Sequence, residues 1–233
     1  LQLTNWQFEY QDEWHPATVP GCIHTDLLDN HLIPDPFVAC NEDSLQWVSQ
    51  RVWCYRTTFA TESLVQADRC ELVFDGLDTY AEIILNGRSI GRTDNMYRQW
   101  RFSINRYQLQ RTNELLVRFY PVAQSDSLAA LSFPAPVPDK RIFTRTAPYQ
   151  QGWDWGPKLK TCGIWQQVRL VSYNGPLRKF IDPQLPPIEV STPEFFNVEL
   201  RQDTDAVGQS FAFYRNGEPF FVKGANWIPA HSF

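Results

Sequence analysis

Residues 52–59 read Val52-Trp53-Cys54-Tyr55-Arg56-Thr57-Thr58-Phe59, and their order indicates the fold class of the chain. Apolar or aromatic side chains alternate with polar ones, and the run is rich in residues that favour extended backbone. This is the pattern of a strand that buries one face. A second apolar run, Ala81 to Leu85, is followed directly by Asn86-Gly87, which is the strongest short hairpin signal in the sequence.

Similar short runs are spaced along most of the chain, with turn-forming residues between them. They are Trp6 to Tyr10, Cys70 to Phe74, Leu115 to Tyr120 and Ile164 to Val171. Helical signals are few: residues 22–30 could form one or two turns, and the proline-rich residues 129–138 are expected to be irregular. The spacing predicts an all-β fold, either a β-sandwich or a jelly roll.

The overall composition excludes several classes of protein. The chain has 233 residues, of which 43% are hydrophobic and 15% aromatic, and its net charge is -5. Such a content of apolar and aromatic side chains is typical of a packed globular protein, and the mild acidity argues against a nucleic-acid partner. Because no apolar run approaches the roughly 20 residues that cross a bilayer, we expect no membrane association.

The cysteines and histidines indicate neither a disulfide framework nor a metal site. The five cysteines are odd in number, widely spaced and without a Cys-x-x-Cys pair, so buried thiols are expected. The four histidines lack metal-ligand spacing. The sequence also holds no Asn-x-Ser/Thr acceptor and does not start with a signal-peptide pattern, which favours a cytoplasmic setting. A lysosomal, periplasmic or secreted location stays open.

The composition changes after Val171, which divides the chain into three expected parts. Residues 1–172 form the β domain, and residues 173–196 are a proline-rich linker. Residues 197–233 hold two apolar runs around Asn216-Gly217, which predict a second hairpin. A last strand is expected from Phe220 to Trp227.

One loop carries the residues best suited to bind a ligand: Gly152-Trp153-Asp154-Trp155-Gly156-Pro157. Its glycines and proline keep it out of helices and central strands. Indoles can pack on the apolar face of a sugar ring, and a carboxylate accepts hydrogen bonds from sugar hydroxyls. The loop is therefore either a carbohydrate clamp or a turn anchored by packed tryptophans, with an aspartate that caps local amides.

Several motifs together resemble a known family. The runs Ala17 to Gly21, Phe74 to Ala81 and Leu85 to Gly87 resemble the N-terminal, galactose-binding-like jelly roll of the large retaining β-glycosidases of glycoside hydrolase family 2. The 152–157 loop, together with Cys162-Gly163-Ile164-Trp165, is similar to the β-mannosidase branch. The run Lys223 to Pro229 is similar to that branch's entry into a catalytic (β/α)8 barrel.

The resemblance implies an exo-acting retaining β-mannosidase that hydrolyses terminal non-reducing β-D-mannose from glycans or manno-oligosaccharides, without a metal or organic cofactor. Two glutamates on late barrel strands would do the chemistry, and this chain holds neither. The chain is thus expected to be an inactive N-terminal portion that also lacks the family's immunoglobulin-like domain. The pairs Asn41-Glu42 and Asn113-Glu114 lie inside the β domain and are expected to be structural.

The resemblance also implies roles for individual residues. Asp154 would accept hydrogen bonds from hydroxyls of the bound mannose, and Trp153 or Trp155 would stack on the sugar or line its pocket, with plain core packing as the alternative for each indole. Trp227 would form a pocket wall, with Asn226 beside it. Two other functions remain open: a non-catalytic carbohydrate-binding module, and a related β-galactosidase or β-glucuronidase.

Overall fold

The structure is a computed structural model that describes residues 1–61, 69–173 and 198–225. They fall into two compact units, one within residues 1–175 and one within residues 176–230. The strands of the first unit are β1 (Trp6–Tyr10), β2 (Glu13–Ala17), β3 (Trp53–Ala60), β4 (Arg69–Phe74), β5 (Tyr80–Leu85), β6 (Arg88–Asp94), β7 (Trp100–Ile104), β8 (Thr112–Phe119) and β9 (Val168–Tyr173). Its α-helices are α1 (Ile23–Asp29), α2 (Asn41–Ser44) and α3 (Val122–Ser132), and short 3-10 helices span Gln46–Gln50, Arg106–Gln108, Lys140–Phe143 and Pro148–Gln151.

The larger sheet is built around strand β3, as the 52–59 pattern predicts. Its strand order is β2-β1-β3-β8-β5-β6, and every neighbouring pair is antiparallel. Strand β3 pairs with β8 along its whole length, from Trp53 opposite Phe119 to Ala60 opposite Thr112. Alternate β3 residues from Trp53 onward are buried, so the period-two pattern marks the face that meets the core.

The smaller sheet has the order β7-β4-β9 and shares one hydrophobic core with the larger sheet. Leu72 and Phe74 of β4 and Leu170 of β9 are fully or almost fully buried there, together with Phe8 and Tyr55 from the larger sheet. Each such side chain stabilises the fold by about 1.5–3 kcal/mol through burial. Two antiparallel sheets around one core confirm the predicted all-β sandwich.

The hairpin predicted at Asn86-Gly87 is present. Strand β5 pairs with β6, and Leu85 lies opposite Arg88, so the loop has two residues. Both have positive φ values, 49° for Asn86 and 77° for Gly87, which is the geometry of a type I′ turn. Asparagine and glycine are the residues that adopt this backbone at least cost.

The helical content is larger than the sequence patterns predict. Residues 129–138 were expected to be irregular, but α3 extends through Ser132 and ends before Pro134. The reason is local: residues 122–132 contain neither glycine nor proline, and their alanines and leucines favour a helix. Strand β9 starts at Val168, not at Ile164, because Ile164 binds the loop residue Gly21 through its carbonyl. Across the described ranges, no helix has both the length and the apolar character needed to cross a membrane.

The second unit contains a three-stranded antiparallel sheet of β10 (Val198–Arg201), β11 (Ala212–Arg215) and β12 (Glu218–Phe220). The hairpin predicted around Asn216-Gly217 is present, and both turn residues have positive φ. The strand expected from Phe220 to Trp227 is wrong for residues 221–225, which form no strand. A barrel strand needs neighbours with which to pair, and the sequence pattern does not supply them. Asn226 and Trp227 lie outside the described residues.

Candidate functional site

The 152–157 segment, hereafter the Trp loop, is a tight turn at the surface. Trp153 and Gly156 exchange two backbone hydrogen bonds of 3.2 and 3.3 Å, which places Asp154 and Trp155 at the tip. Gly152 enters the turn with a φ of 93°, a conformation that glycine adopts without strain. The prediction that this segment lies outside helices and strands is confirmed.

The side chains of the Trp loop face solvent. Trp153 is 56% exposed, Trp155 is 39% exposed, and Asp154 is exposed as well. The ring of Trp155 lies beside Tyr149, with 5.7 Å between the ring centroids. Neither indole packs in the core of this unit, so the core-packing alternative is wrong for both. The two exposed indoles thus leave apolar surface in contact with water at this loop.

Asp154 does not act as a local cap. Within the part of the chain that the structure describes, its carboxylate accepts no hydrogen bond from a nearby backbone amide. A capping aspartate would be saturated by such bonds, whereas an exposed carboxylate between two indoles can accept hydrogen bonds from a ligand. This arrangement suits a neutral polyhydroxy compound, with apolar faces for the rings and hydroxyl donors for the carboxylate.

Two pockets lie next to the Trp loop. The larger has a volume of about 350 Å³ and is lined by Asp78, Met96, Tyr149, Gln150 and Trp165, among others. Tyr149 both lines this pocket and contacts Trp155, which joins it to the loop. The smaller pocket has a volume of about 260 Å³, and it brings Trp153 together with the Asp139–Arg141 ion pair.

A buried carboxylate that the sequence patterns did not single out lies below the loop. Asp78 is 3% exposed and accepts hydrogen bonds from Thr79, from Thr146 at 2.7 Å and from Gln150 at 2.8 Å. Burial raises the pKa of Asp78, and the three hydrogen bonds oppose that shift. Its sequence signal was weak, because the run that contains it also fits an ordinary turn between two strands.

The glutamates at positions 42 and 114 lie in hydrogen-bonded segments of the first unit. Glu42 accepts a hydrogen bond of 2.6 Å from the backbone amide of Lys158 and so supports the chain just after the Trp loop. Glu114 lies in β8, where its amide donates to Asn86 of the hairpin.

The described residues include all five cysteines and several other side chains of the types that bind metals. All five cysteines are free thiols, but only Cys22 and Cys70 are buried, and Cys40 is exposed, so the expectation of buried thiols is wrong for Cys40. Cys40 lies just before α2 in a surface turn, where the amide of Asn41 donates to the carbonyl of Val38. The described residues include no group of three or more His, Cys, Asp or Glu side chains able to hold a metal ion.

Comparisons with known proteins agree on one family. The family model described as glycosyl hydrolase 2 galactose-binding domain-like matches residues 6–166. A β-mannosidase B from Thermothelomyces thermophilus is 36% identical over 188 residues, which are 74% of this chain and 22% of that protein. A β-mannosidase from Bos taurus is 37% identical over 172 residues, which are 68% of this chain and 20% of that protein.

The structural comparison leads to the same group. The crystal structure of a β-D-mannosidase from Dictyoglomus thermophilum matches with a TM-score of 0.78 and 29% identity, over 99% of this chain and 40% of that one. The present chain spans about a fifth of the length of the curated relatives that it matches.

Proposed function

The chain belongs to the galactose-binding-like domains of glycosyl hydrolase family 2, and we propose that it is the N-terminal portion of an exo-acting retaining β-mannosidase. The complete enzyme would hydrolyse terminal β-D-mannose from the non-reducing ends of glycans or manno-oligosaccharides. One observation carries the proposal: an exposed carboxylate, Asp154, lies between two exposed indoles in a chain about 36% identical to proteins named β-mannosidase. No nucleic-acid partner and no membrane partner are part of this proposal.

In this proposal the Trp loop contacts the sugar in the site of cleavage. Asp154 would accept hydrogen bonds from two hydroxyls of the mannose ring, and Trp153 or Trp155 would cover an apolar face of that ring. A carboxylate acceptor makes stronger and more directional hydrogen bonds than a neutral one. Trp227 and Asn226, which lie outside the described residues, would add a pocket wall and a further polar contact.

The chemistry itself would come from outside these 233 residues. A retaining glycosidase uses an acid/base carboxyl and a nucleophilic carboxylate about 5 Å apart, and a (β/α)8 barrel would present both. We therefore propose that residues 1–172 are the sugar-contacting domain, residues 173–196 a linker, and residues 197–233 the entry to that barrel. This chain by itself would not hydrolyse a glycoside, and no metal or organic cofactor would be needed.

Kinetics of the complete enzyme test the assignment of Asp154. Asp154→Ala should lower kcat/KM for an aryl β-mannoside at least about 100-fold, because a hydrogen bond to a charged acceptor is lost in a dry pocket. The matched control is Asp43→Ala, an exposed aspartate of α2, which should stay within twofold of wild type. Equal kinetics for the two variants would reject the site.

A second function deserves a direct test because both indoles are exposed without a barrel over them. A non-catalytic carbohydrate-binding module would bind glycans through this surface alone. Calorimetry of the 233-residue chain with mannose and manno-oligosaccharides separates the two functions. Millimolar or tighter binding that Trp153→Ala abolishes would favour the module. If no heat of binding is measured, the result would favour a loop that binds sugar only when it faces the barrel of the complete enzyme. A panel of aryl glycosides on the complete enzyme would distinguish mannose from galactose or glucuronic acid.

A further inference from the structure

The Trp loop is held by two stretches of chain that converge on Asp78. Residues 144–151 are called here the incoming leg and residues 158–165 the outgoing leg. Both legs pass the connection between β4 and β5, where Asp78 lies. The side chain of Asp78 binds one leg, and its main chain binds the other.

The carboxylate of Asp78 holds the incoming leg at two points. Its Oδ1 accepts a hydrogen bond of 2.7 Å from the Thr146 hydroxyl, and its Oδ2 accepts one of 2.8 Å from the Gln150 amide. All three side chains are more than nine-tenths buried. In such a weakly polar environment these bonds are stronger and more directional than at the surface. Gln150 is only three residues from Trp153, so this bond fixes the start of the loop.

The main chain of Asp78 holds the outgoing leg. Its amide donates to the carbonyl of Gly163, and the amide of Gly163 donates back to the carbonyl of Asp78, both at 3.0 Å. Gly163 in turn lies so close to Cys22 that a Cβ atom there would be 2.8 Å from the Cys22 Cα atom. The outgoing leg is therefore held between two segments of backbone and has little freedom to shift.

Met96, which lines the larger pocket together with Asp78, also binds both legs. Its amide donates to the carbonyl of Arg145 at 2.9 Å, and its sulfur accepts from the amide of Ala147 at 3.0 Å. Its carbonyl accepts from the indole nitrogen of Trp165 on the outgoing leg at 3.1 Å. Asp78 and Met96 thus each bind both legs, and of these two residues Asp78 is the one that binds Gln150, two positions before the loop.

We propose that Asp78 is a positioning residue, whose carboxylate fixes the incoming leg so that Asp154 and the two indoles are presented in one geometry. This inference rests on the proposed function of the Trp loop. Asp78 is 3% exposed at the wall of the larger pocket, and its two carboxylate oxygens accept hydrogen bonds from Thr146 and Gln150. Its contribution to catalysis is orientation: an acceptor displaced by about 1 Å can lower the rate by about 100-fold.

Hydrogen exchange on the 233-residue chain tests the positioning role without any activity. Asp78→Leu keeps the branched arrangement of heavy atoms but removes both acceptors, so the amides of residues 146–156 should exchange at least tenfold faster. Asp78→Asn should restore most of the protection, because its oxygen still accepts from Thr146 and a flipped Gln150 amide can pair with its nitrogen. The matched control is Asp75→Leu on the same connection, which breaks the 2.8 Å ion pair with Arg169 but leaves the loop untouched.

A second variant covers the case in which Asp78→Leu does not fold. Gln150→Met leaves Asp78 in place and removes one donor, and it should accelerate exchange within residues 150–156 more than within residues 144–147. The proposal would be overturned if the amides of all variants exchanged at the wild-type rate, or if Asp75→Leu and Asp78→Leu accelerated exchange equally.

Kinetics of the complete enzyme separate this inference from the proposed function. Asp78→Leu should lower kcat/KM for an aryl β-mannoside at least tenfold, with recovery in Asp78→Asn and wild-type values in Asp75→Leu. If Asp154→Ala is inactive and Asp78→Leu is fully active, the positioning role is wrong and the function stands. If Asp154→Ala is fully active, the proposed function of the loop is wrong, regardless of the amide hydrogen exchange measured in Asp78→Leu.

Discussion

The phenol of Tyr55 donates a hydrogen bond of 2.7 Å to Oδ2 of Asp26, which joins the central strand of the larger sheet to helix α1. Both residues are buried, and Oδ1 of the same carboxylate accepts a hydrogen bond of 2.7 Å from the amide of Thr18. A buried carboxylate is tolerated only where such donors surround it. This pair therefore helps to determine where α1 lies against the sandwich. The N-cap residue of α1, Cys22, lies beside the outgoing leg of the Trp loop.

Removing the phenol hydroxyl should destabilise the fold. Tyr55→Phe keeps the ring and its edge-on contact with Phe119 but leaves Asp26 with one donor fewer. The expected loss is about 1–3 kcal/mol of unfolding free energy, because a buried acceptor then lacks its partner. Urea unfolding at pH 7 measures it. As a control, Tyr107→Phe at an exposed position should change stability by less than about 0.5 kcal/mol, and equal losses in the two variants would contradict the prediction.

The pH dependence of stability should contain two opposite contributions from α1. Burial raises the pKa of Asp26 from 3.8 to about 6, so its contribution is fully present below about pH 4 and is lost as the pH rises to about 6. Burial lowers the pKa of His24 from 6.5 to about 4, so its contribution is fully present above about pH 6.5 and is lost as the pH falls to about 4. Each amounts to about 3 kcal/mol, at about 1.4 kcal/mol per pKa unit.

Two variants separate these contributions. Wild type loses the Asp26 contribution as the pH rises from 4 to 6.5, and Asp26→Asn has no such contribution to lose. Asp26→Asn should therefore gain stability relative to wild type over this range. His24→Gln should lose stability relative to wild type over the same range. Denaturant unfolding at several pH values gives both differences, and all other titrating groups cancel in them. Two differences of the same sign would show that one of the two groups does not titrate as its burial implies.

A methyl group at position 163 should disturb the Trp loop and the fold together. Gly163→Ala would place its Cβ 2.8 Å from the Gly21 carbonyl oxygen and 2.8 Å from the Cys22 Cα atom, and neither backbone atom can move away easily. We expect a loss of about 1–3 kcal/mol of unfolding free energy and a less protected outgoing leg. Thermal unfolding checks the first and hydrogen exchange the second. Gly208→Ala, where a Cβ would meet nothing within 4 Å, is the matched control, and similar losses in both would refute the steric argument.

The strands and hairpins could be predicted because their signals are local. Alternation in residues 52–59 marks a strand with one buried face, and Asn86-Gly87 fixes a turn through the backbone freedom of two adjacent residues. Two helices, α2 and α3, were not predicted. Helix α3 had a local signal in its alanines and leucines, but the prolines that follow Phe133 obscured it. The motifs that indicate glycoside hydrolase family 2 are likewise short runs that can be read without a structure.

The sequence by itself thus determined the strand pattern, the turns and the identity of the Trp loop, because each depends on neighbours a few residues away. Only the tertiary structure decided that both indoles face solvent and that Asp78 holds the two legs of the loop. Asp78 and Gln150 are 72 positions apart in the chain, and they meet because β5 and the legs pack against one core. Burial, and with it the strength of a hydrogen bond or the need for a glycine, depends on which distant segments come together.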